Sequence, residues 1–451
     1  MIEERVRLAS GSPAGRGASW VVYWMQQARR ASCNHALEYA VARAGGMGLP
    51  VFVLFCVDPS YPGAGPGHYR FMLEGLGETA DDLEARGIRM LVRIGDPVEE
   101  FIAACGRAAL AVTDGGHTPV QRRWREDAAA RCPCPMYVVE TDTAVPPGML
   151  HPRAAWSAAV VRRRMEPLLE GMLEPPEMHD IAIPGFLPDM QGFTPIEALA
   201  ALPVRPGAPH AVGVRPGSAA AREALGRFID EDLDDYGTSS RDPARNCVSG
   251  LSPYLHFGQI SPVEAALKVR ETGSPGAGAF LEQMLVRREL AVNFCARTPA
   301  PGSWGAIPEW ARRALEEHSR DPREYLYSLE DLECARTHDE AWNAAQTELV
   351  TTGAMHGYMR MYWGKMILAW TPSPGEAFRR AALLNDTYAL DGRDPNSMAG
   401  VGWCFGLHDR PWPERRVFGS VRSMTLRSLR AKYDIDAYIA RVAGNAGEDR
   451  R

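Results

Sequence analysis

Residues 337–370 read THDEAWNAAQTELVTTGAMHGYMRMYWGKMILAW. Thr337, three positions before Glu340, has the pattern of a capping box and predicts a helix start. No proline interrupts the stretch before Pro372, and apolar residues recur at helical spacing. The reading is one long helix or two stacked ones, with Gly353 as the joint or a close-packing point. Trp342, Trp363 and Trp370 share the stretch with Gln346, His356, Arg360, Met361 and Lys365. Trp363 and Trp370 fall nearly on one helix face, about 10 Å apart along the axis, with Arg360 one turn before Trp363. Indoles in a row beside a fixed cation fit dense packing or a site that handles electrons and anions. These residues alone favour packing.

Around this stretch, 451 residues allow two or three domains with ample core. Charged residues at 24% and hydrophobic ones at 45% describe a soluble globular chain. No apolar run approaches the roughly 18 residues of a membrane span, and the start lacks the apolar core of a secretion signal. A cytoplasmic protein without membrane association is expected. Of nine cysteines, only Cys132-Pro-Cys134 is a tight group, and no second pair lies near it. That is neither a zinc knuckle nor a disulfide framework, so no metal is expected and a reducing compartment is. The net charge of −6 argues against a generic nucleic-acid binder. Residues 351–451, however, carry 15 Lys/Arg against 10 Asp/Glu, a local positive surplus compatible with a DNA-facing surface.

Residues 19–145 alternate strands and helices. Ser19–Trp24, Leu49–Val57, Ile88–Ile94, Leu110–Thr113 and Met136–Glu140 are apolar runs of β-formers, separated by helical patterns over Asn34–Ala44, His68–Arg86 and Pro97–Ala108. Continuous apolar strands between helices predict a doubly wound, parallel, Rossmann-like α/β sheet. No G-x-G-x-x-G or Walker loop names its ligand. Residues 146–215 are proline-rich around one helix near Ala154–Leu173 and read as an inter-domain linker; Pro203, Pro206 and Pro209 belong to it. From residue 216 to 451 helical patterns dominate, which predicts an all-helical second domain. Within it, Val248–Pro262 (VSGLSPYLHFGQISP) sets small hydroxyl residues and a glycine before a proline-led helix, a weak signal for phosphate binding with helix capping as the plainer reading.

SGLSPYLHFGQISP resembles the FAD-phosphate segment of the photolyase/cryptochrome flavoproteins. Phe280–Leu290 (FLEQMLVRREL), the Trp342–Trp370 region, Leu384–Asn396 (LNDTYALDGRDPN) and Gly406–Trp412 (GLHDRPW) sharpen this to the class II cyclobutane pyrimidine dimer photolyases. Tyr23–Gln26, Asn34 and Tyr69–Gly75 agree, and the resemblance runs from about residue 19 to 432. It implies an antenna-type α/β domain, able to host a deazaflavin or methenyltetrahydrofolate pigment, and a helical domain that binds FAD and the DNA lesion. Reduced FADH⁻, excited by blue light, would pass an electron to a dimer flipped out of UV-damaged DNA and so split its cyclobutane ring. A monomeric DNA lyase is the expectation. A cryptochrome-like blue-light photoreceptor without repair is the alternative.

The resemblance also assigns residues. Tyr236, Val248, Ser249, Gly250, Leu251 and Ser252 would contact the FAD phosphates. Arg360 with Asp391 would flank the flavin ring and favour its anion. Asn385 would face flavin N5, while Arg393 and Asp394 would edge the ring. Trp342, Trp363 and Trp370 would feed electrons to the flavin; Met361 and Trp403 would hold the lesion. Arg287, Arg288, Arg410, Arg415, Arg416 and Arg422 would contact DNA phosphates. One position departs from the family: Gln283 stands where a carboxylate usually faces the dimer, while Glu282 would point about 100° away on a helix. Glutamine can hydrogen-bond the pyrimidines but supplies neither proton nor charge, so slower repair or altered lesion preference is expected.

Overall fold

The computed structural model describes residues 3–202 and 213–448. Among them, six strands form one sheet: β1 (Val6–Ser10), β2 (Trp20–Met25), β3 (Val51–Val57), β4 (Arg89–Ile94), β5 (Ala108–Asp114) and β6 (Met136–Val139). Their spatial order is β1-β6-β5-β2-β3-β4. Strands β2 to β6 run parallel. The central β2 is buried along its whole length because helices cover both faces. Val21, Tyr23 and Met25 pack on one side with Leu37, Val41 and Leu73; Trp20, Val22 and Trp24 pack on the other with Val98, Phe101 and Ala128.

Strand β1 is an addition that the sequence did not announce. It pairs antiparallel with β6 at the sheet edge and leaves Leu8 53% exposed, so it lacks the apolar run of an interior strand. Just before it, the buried Arg5 guanidinium donates to the carbonyls of Thr143, Ala144 and Met172 at 2.6–2.9 Å. Backbone dipoles thus offset the burial of that cation.

The described part of 146–215 does not span a gap. Helix Ala158–Met172 buries Val161, Met165 and Met172 in the core beside the sheet. Helix Pro195–Ala201 packs on helix Pro66–Ala85, and Phe193 bridges to Val92. Pro203, Pro206 and Pro209 lie outside the described residues. The helical second half also divides. Helices Ser218–Glu231, Pro262–Glu271 and Ala277–Leu281 share one apolar core with the sheet, joined by Leu390, whereas the other core residues from Ala291 to Val442 form a separate one.

Residues 337–370 fold as two helices, Glu340–Thr352 and Gly357–Trp370. Gly353 joins them in the left-handed conformation, φ 67°, which costs glycine least. The start is one correction to the sequence reading. Asp339, not Thr337, is the cap: its carboxylate accepts from the Trp342 N–H at 3.0 Å, while the Thr337 hydroxyl donates to Asn343 Oδ1. Both residue types can cap, and Asp339 directly precedes the first helical residue, Glu340, whereas Thr337 lies two residues further back.

Candidate active site

The two helices bring the three indoles together, with Trp342 in the middle. Its ring lies parallel to that of Trp363, centroids 6.4 Å apart at 5°, and meets Trp370 edge-on at 5.7 Å and 67°. Trp342 Nε1 donates to the Trp363 carbonyl at 3.0 Å, and Trp363 Nε1 to Gln346 Oε1 at 2.8 Å. The polar edges of these two rings are therefore satisfied inside a buried core. Beyond Trp370 the rings of Tyr327 and His338 follow at 5.4 and 5.2 Å, and Tyr325, 38% exposed, stacks on His338. Sequence reasoning missed this continuation. Tyr325 and Tyr327 come from a separate loop, and nothing in their spacing points at Trp370.

One turn before Trp363 on the same helix, Arg360 pairs with Asp391 through two hydrogen bonds of 3.0 and 3.3 Å. Burial works against the guanidinium's charge, but Asp391 outweighs it and holds the pKa above the ordinary value. Asp394 behaves oppositely. Burial, then the Asp391 carboxylate, push its pKa up to about 7. Its side chain caps helix Pro395–Cys404 by accepting from the Ser397 N–H at 2.6 Å. Asn385 donates to Ser397 Oγ at 2.6 Å. In the 248–252 segment Leu251 is buried, while Gly250 and Ser252 are exposed. Gly250 has φ 66° and open space where a Cβ would stand. Tyr236 lies edge-on to Phe228 and Phe280, and burial raises its phenol to about 12.

Gln283 sits exposed in a π-helical turn, Glu282–Arg287. Glu282 is tied down by Nε and one Nη of Arg162 at 3.0 and 2.6 Å, so it does not replace the missing carboxylate. The Arg287 guanidinium lies 5.4 Å over the half-buried Trp403 ring. Met361 is half-buried, and its carbonyl accepts from the Cys404 thiol. Arg410 and Arg422 flank Trp412 at 5.6 and 5.1 Å. Arg415 and Arg416 are exposed in the adjoining turn. Trp156, 73% exposed, joins this side through the contact of its carbonyl with His408; a lone tryptophan in a proline-rich stretch gave no signal. Arg288, grouped by sequence with the phosphate contacts, turns inward and donates to Asp142 at 2.8 and 2.9 Å. Its neighbour in sequence faces outward because one helical step rotates the side chain by about 100°.

A second cavity opens where the strand order reverses, between β2 and β5. Asp114, at the end of β5, accepts from the N–H groups of Gln26, Gln27 and Ala28 at 2.6–2.7 Å and pins the loop after β2. Above it lies a cleft lined among others by Trp24, Phe55, Met72 and His256. Arg393 and Asp394 also line it, which puts them at the boundary of two sites. The side-chain amide of the buried Gln26, Arg29 Nε and His256 Nδ1 have no partner there.

A family model described as DNA photolyase matches residues 21–178. A deoxyribodipyrimidine photo-lyase of Methanothermobacter thermautotrophicus is 42% identical, with 98% of this chain and 98% of that protein covered. One of Arabidopsis thaliana is 36% identical over 97% of this chain and 92% of its own length. Among solved structures, an archaeal photolyase of Sulfolobus tokodaii with two FAD molecules superposes with a TM-score of 0.71 at 18% identity, covering 93% of this chain and 89% of that one. That last likeness concerns the fold.

Proposed function

Because the chain belongs to the DNA photolyase family, we propose that it repairs cyclobutane pyrimidine dimers in UV-damaged DNA under blue light, with FAD as its cofactor. The observation that carries this is the helix Gly357–Trp370. Within one turn it presents Arg360, paired with Asp391; Met361, half-buried; and Trp363, the end of a buried indole row. A cation for an anionic ring, an apolar surface for stacked bases and an electron path thus share one rigid element.

The residues present fit the cofactor on two counts. The Arg360 guanidinium keeps 22% of its side chain exposed despite its partner. Gly250 and Ser252 leave backbone and hydroxyl free where diphosphate would lie. When bound and reduced, FAD supplies the light-driven electron that opens the cyclobutane ring and takes it back.

The chain's own groups do the rest. Arg360 holds positive charge beside the ring. Asn385, unable to ionise, orients it without adding charge. Trp403 and Met361 stack on the extruded pyrimidines, and Gln283 offers an amide to their carbonyls. Arg287, Arg410, Arg415, Arg416 and Arg422 meet the backbone phosphates, so binding should weaken with salt. The cleft above Asp114 is the proposed seat of an antenna pigment, deazaflavin or methenyltetrahydrofolate, whose polar edge would satisfy Gln26 and Arg29.

The test is direct. Purified protein with a reductant and dimer-containing DNA should lose dimers under blue light and keep them in the dark. Equal dimer content in both arms would refute the reading. In that case the exposed Gln283, an amide that supplies neither proton nor charge, would favour the photoreceptor alternative. Pigment released on denaturing the same preparation, if only flavin, would remove the antenna assignment.

A further inference from the structure

We propose that Cys105, Cys132 and Cys134 form a three-thiolate site for a soft monovalent cation, Cu(I), inside the α/β half and apart from the light-driven chemistry. Their sulfurs all lie within 4.8 Å of one another, and those of Cys132 and Cys134 are 3.7 Å apart. All three are free thiols, exposed by 1, 3 and 0%. Three separate elements deliver them. Cys105 ends helix Pro97–Ala104, Cys132 ends helix Pro119–Arg131, and Cys134 leads into β6. In sequence, Cys132-Pro-Cys134 lacked a partner nearby; the fold supplies it from the other helix.

The geometry suits one ion. Metal–thiolate bonds of about 2.3 Å set two sulfurs on a single centre about 3.8–4.0 Å apart. The Cys132–Cys134 separation is already near this, and Cys105 closes on them by less than about 1 Å. The ligand count selects the metal. Structural zinc takes four ligands, but among the described residues no further His, Cys, Asp or Glu joins the three. The surroundings are apolar, with Trp20, Val98, Phe101 and Met136 in the same cluster, so neither water nor carboxylate is at hand for a harder ion. Thiolates without oxygen ligands favour Cu(I). Binding exchanges protons only: one Cu(I) and three thiols give a tris-thiolate complex and three released protons, with no change of oxidation state. The ion would staple the ends of two helices to the entry of β6.

The experiment uses full-length protein, reduced, stripped with a chelator and kept free of oxygen. It is titrated with Cu(I) against a coloured competing ligand. Wild type and the control Cys334→Ser, an exposed cysteine, should each withdraw one Cu(I) per chain, gain near-ultraviolet thiolate-to-copper absorption and melt at higher temperature. Cys105→Ser and Cys134→Ser should each weaken uptake by more than about tenfold. Wild type that takes up no Cu(I), or a Cys105/Cys132/Cys134 triple-serine variant that takes up as much, would overturn the proposal. So would a disulfide among the three in freshly isolated protein, or Zn(II) bound as tightly as Cu(I). Should a serine variant not fold, wild type decides alone: in mild urea, Cu(I) must shield these three thiols from iodoacetamide while Cys334 reacts, and equal labelling refutes the site.

Discussion

Trp342 touches both other indoles of the row, whereas among the described residues Trp363 and Trp370 each pair with no indole but Trp342. Trp342→Phe should therefore slow light-driven reduction of oxidised flavin at least about tenfold, since electron transfer through a gap falls steeply while the rest of the site stays in place. Repair by chemically pre-reduced protein should be unchanged. The variant also loses the hydrogen bond to the Trp363 carbonyl and some packing, a cost of about 1–3 kcal/mol to be checked by melting. Asp394 gives a prediction in pH. Its folded pKa of about 7 lies above the ordinary 3.8, so its contribution to stability is complete below about pH 4 and lost as pH rises through 7. An asparagine in its place would mimic the neutral acid and still cap the helix. The melting temperature of Asp394→Asn, relative to wild type, should rise between pH 4 and 7 and be flat above. A constant difference across that range would contradict the assigned shift.

Packing between elements depends on Gly364. A Cβ added there would stand 2.6 Å from Cys404 Sγ, so helix Gly357–Trp370 would be pushed off helix Pro395–Cys404. Gly364→Ala should cost about 1–3 kcal/mol, and Cys404→Ala added to it should recover part of that loss; additive losses in a denaturant titration would contradict the clash. At this scale the sequence spoke unevenly. Strands β2, β3 and β5 were legible because burial on both faces demands unbroken β-formers, and the other edge strand, β4, still showed through its buried Leu91 and Val92. Strand β1 was not, because an edge strand needs only one row of hydrogen bonds and tolerates Arg7 and an exposed Leu8. The π-turn at Gln283 was hidden, since i→i+5 bonding leaves no spacing signature. The tryptophans and the partners Arg360 and Asp391 could be picked out by type. The order of the indoles, the inward turn of Arg288 and the run through Tyr327 to Tyr325 could not, because they depend on how helices from distant segments register.

For the molecule as a whole, Asp142 is the hub between halves. It receives Arg30, wholly buried, from the loop after β2 and Arg288 from the helical side; Arg30 also donates to the Gly258 carbonyl. Asp142→Ala would leave two arginines without their counter-charge in a dry seam. It should cost about 3–5 kcal/mol, seen as one thermal transition displaced downward, whereas two separated transitions would mean that the halves are uncoupled. The shared apolar core, running from Val21 through Leu390, carries a consequence for the protein's history and for its engineering. A sheet grafted from a distant cousin would arrive without the matching half of its interior. A chimera should be viable only when its junction falls after Leu290, where most of that common interior gives way to the second one, and when position 390 keeps an apolar side chain to reach back into the first.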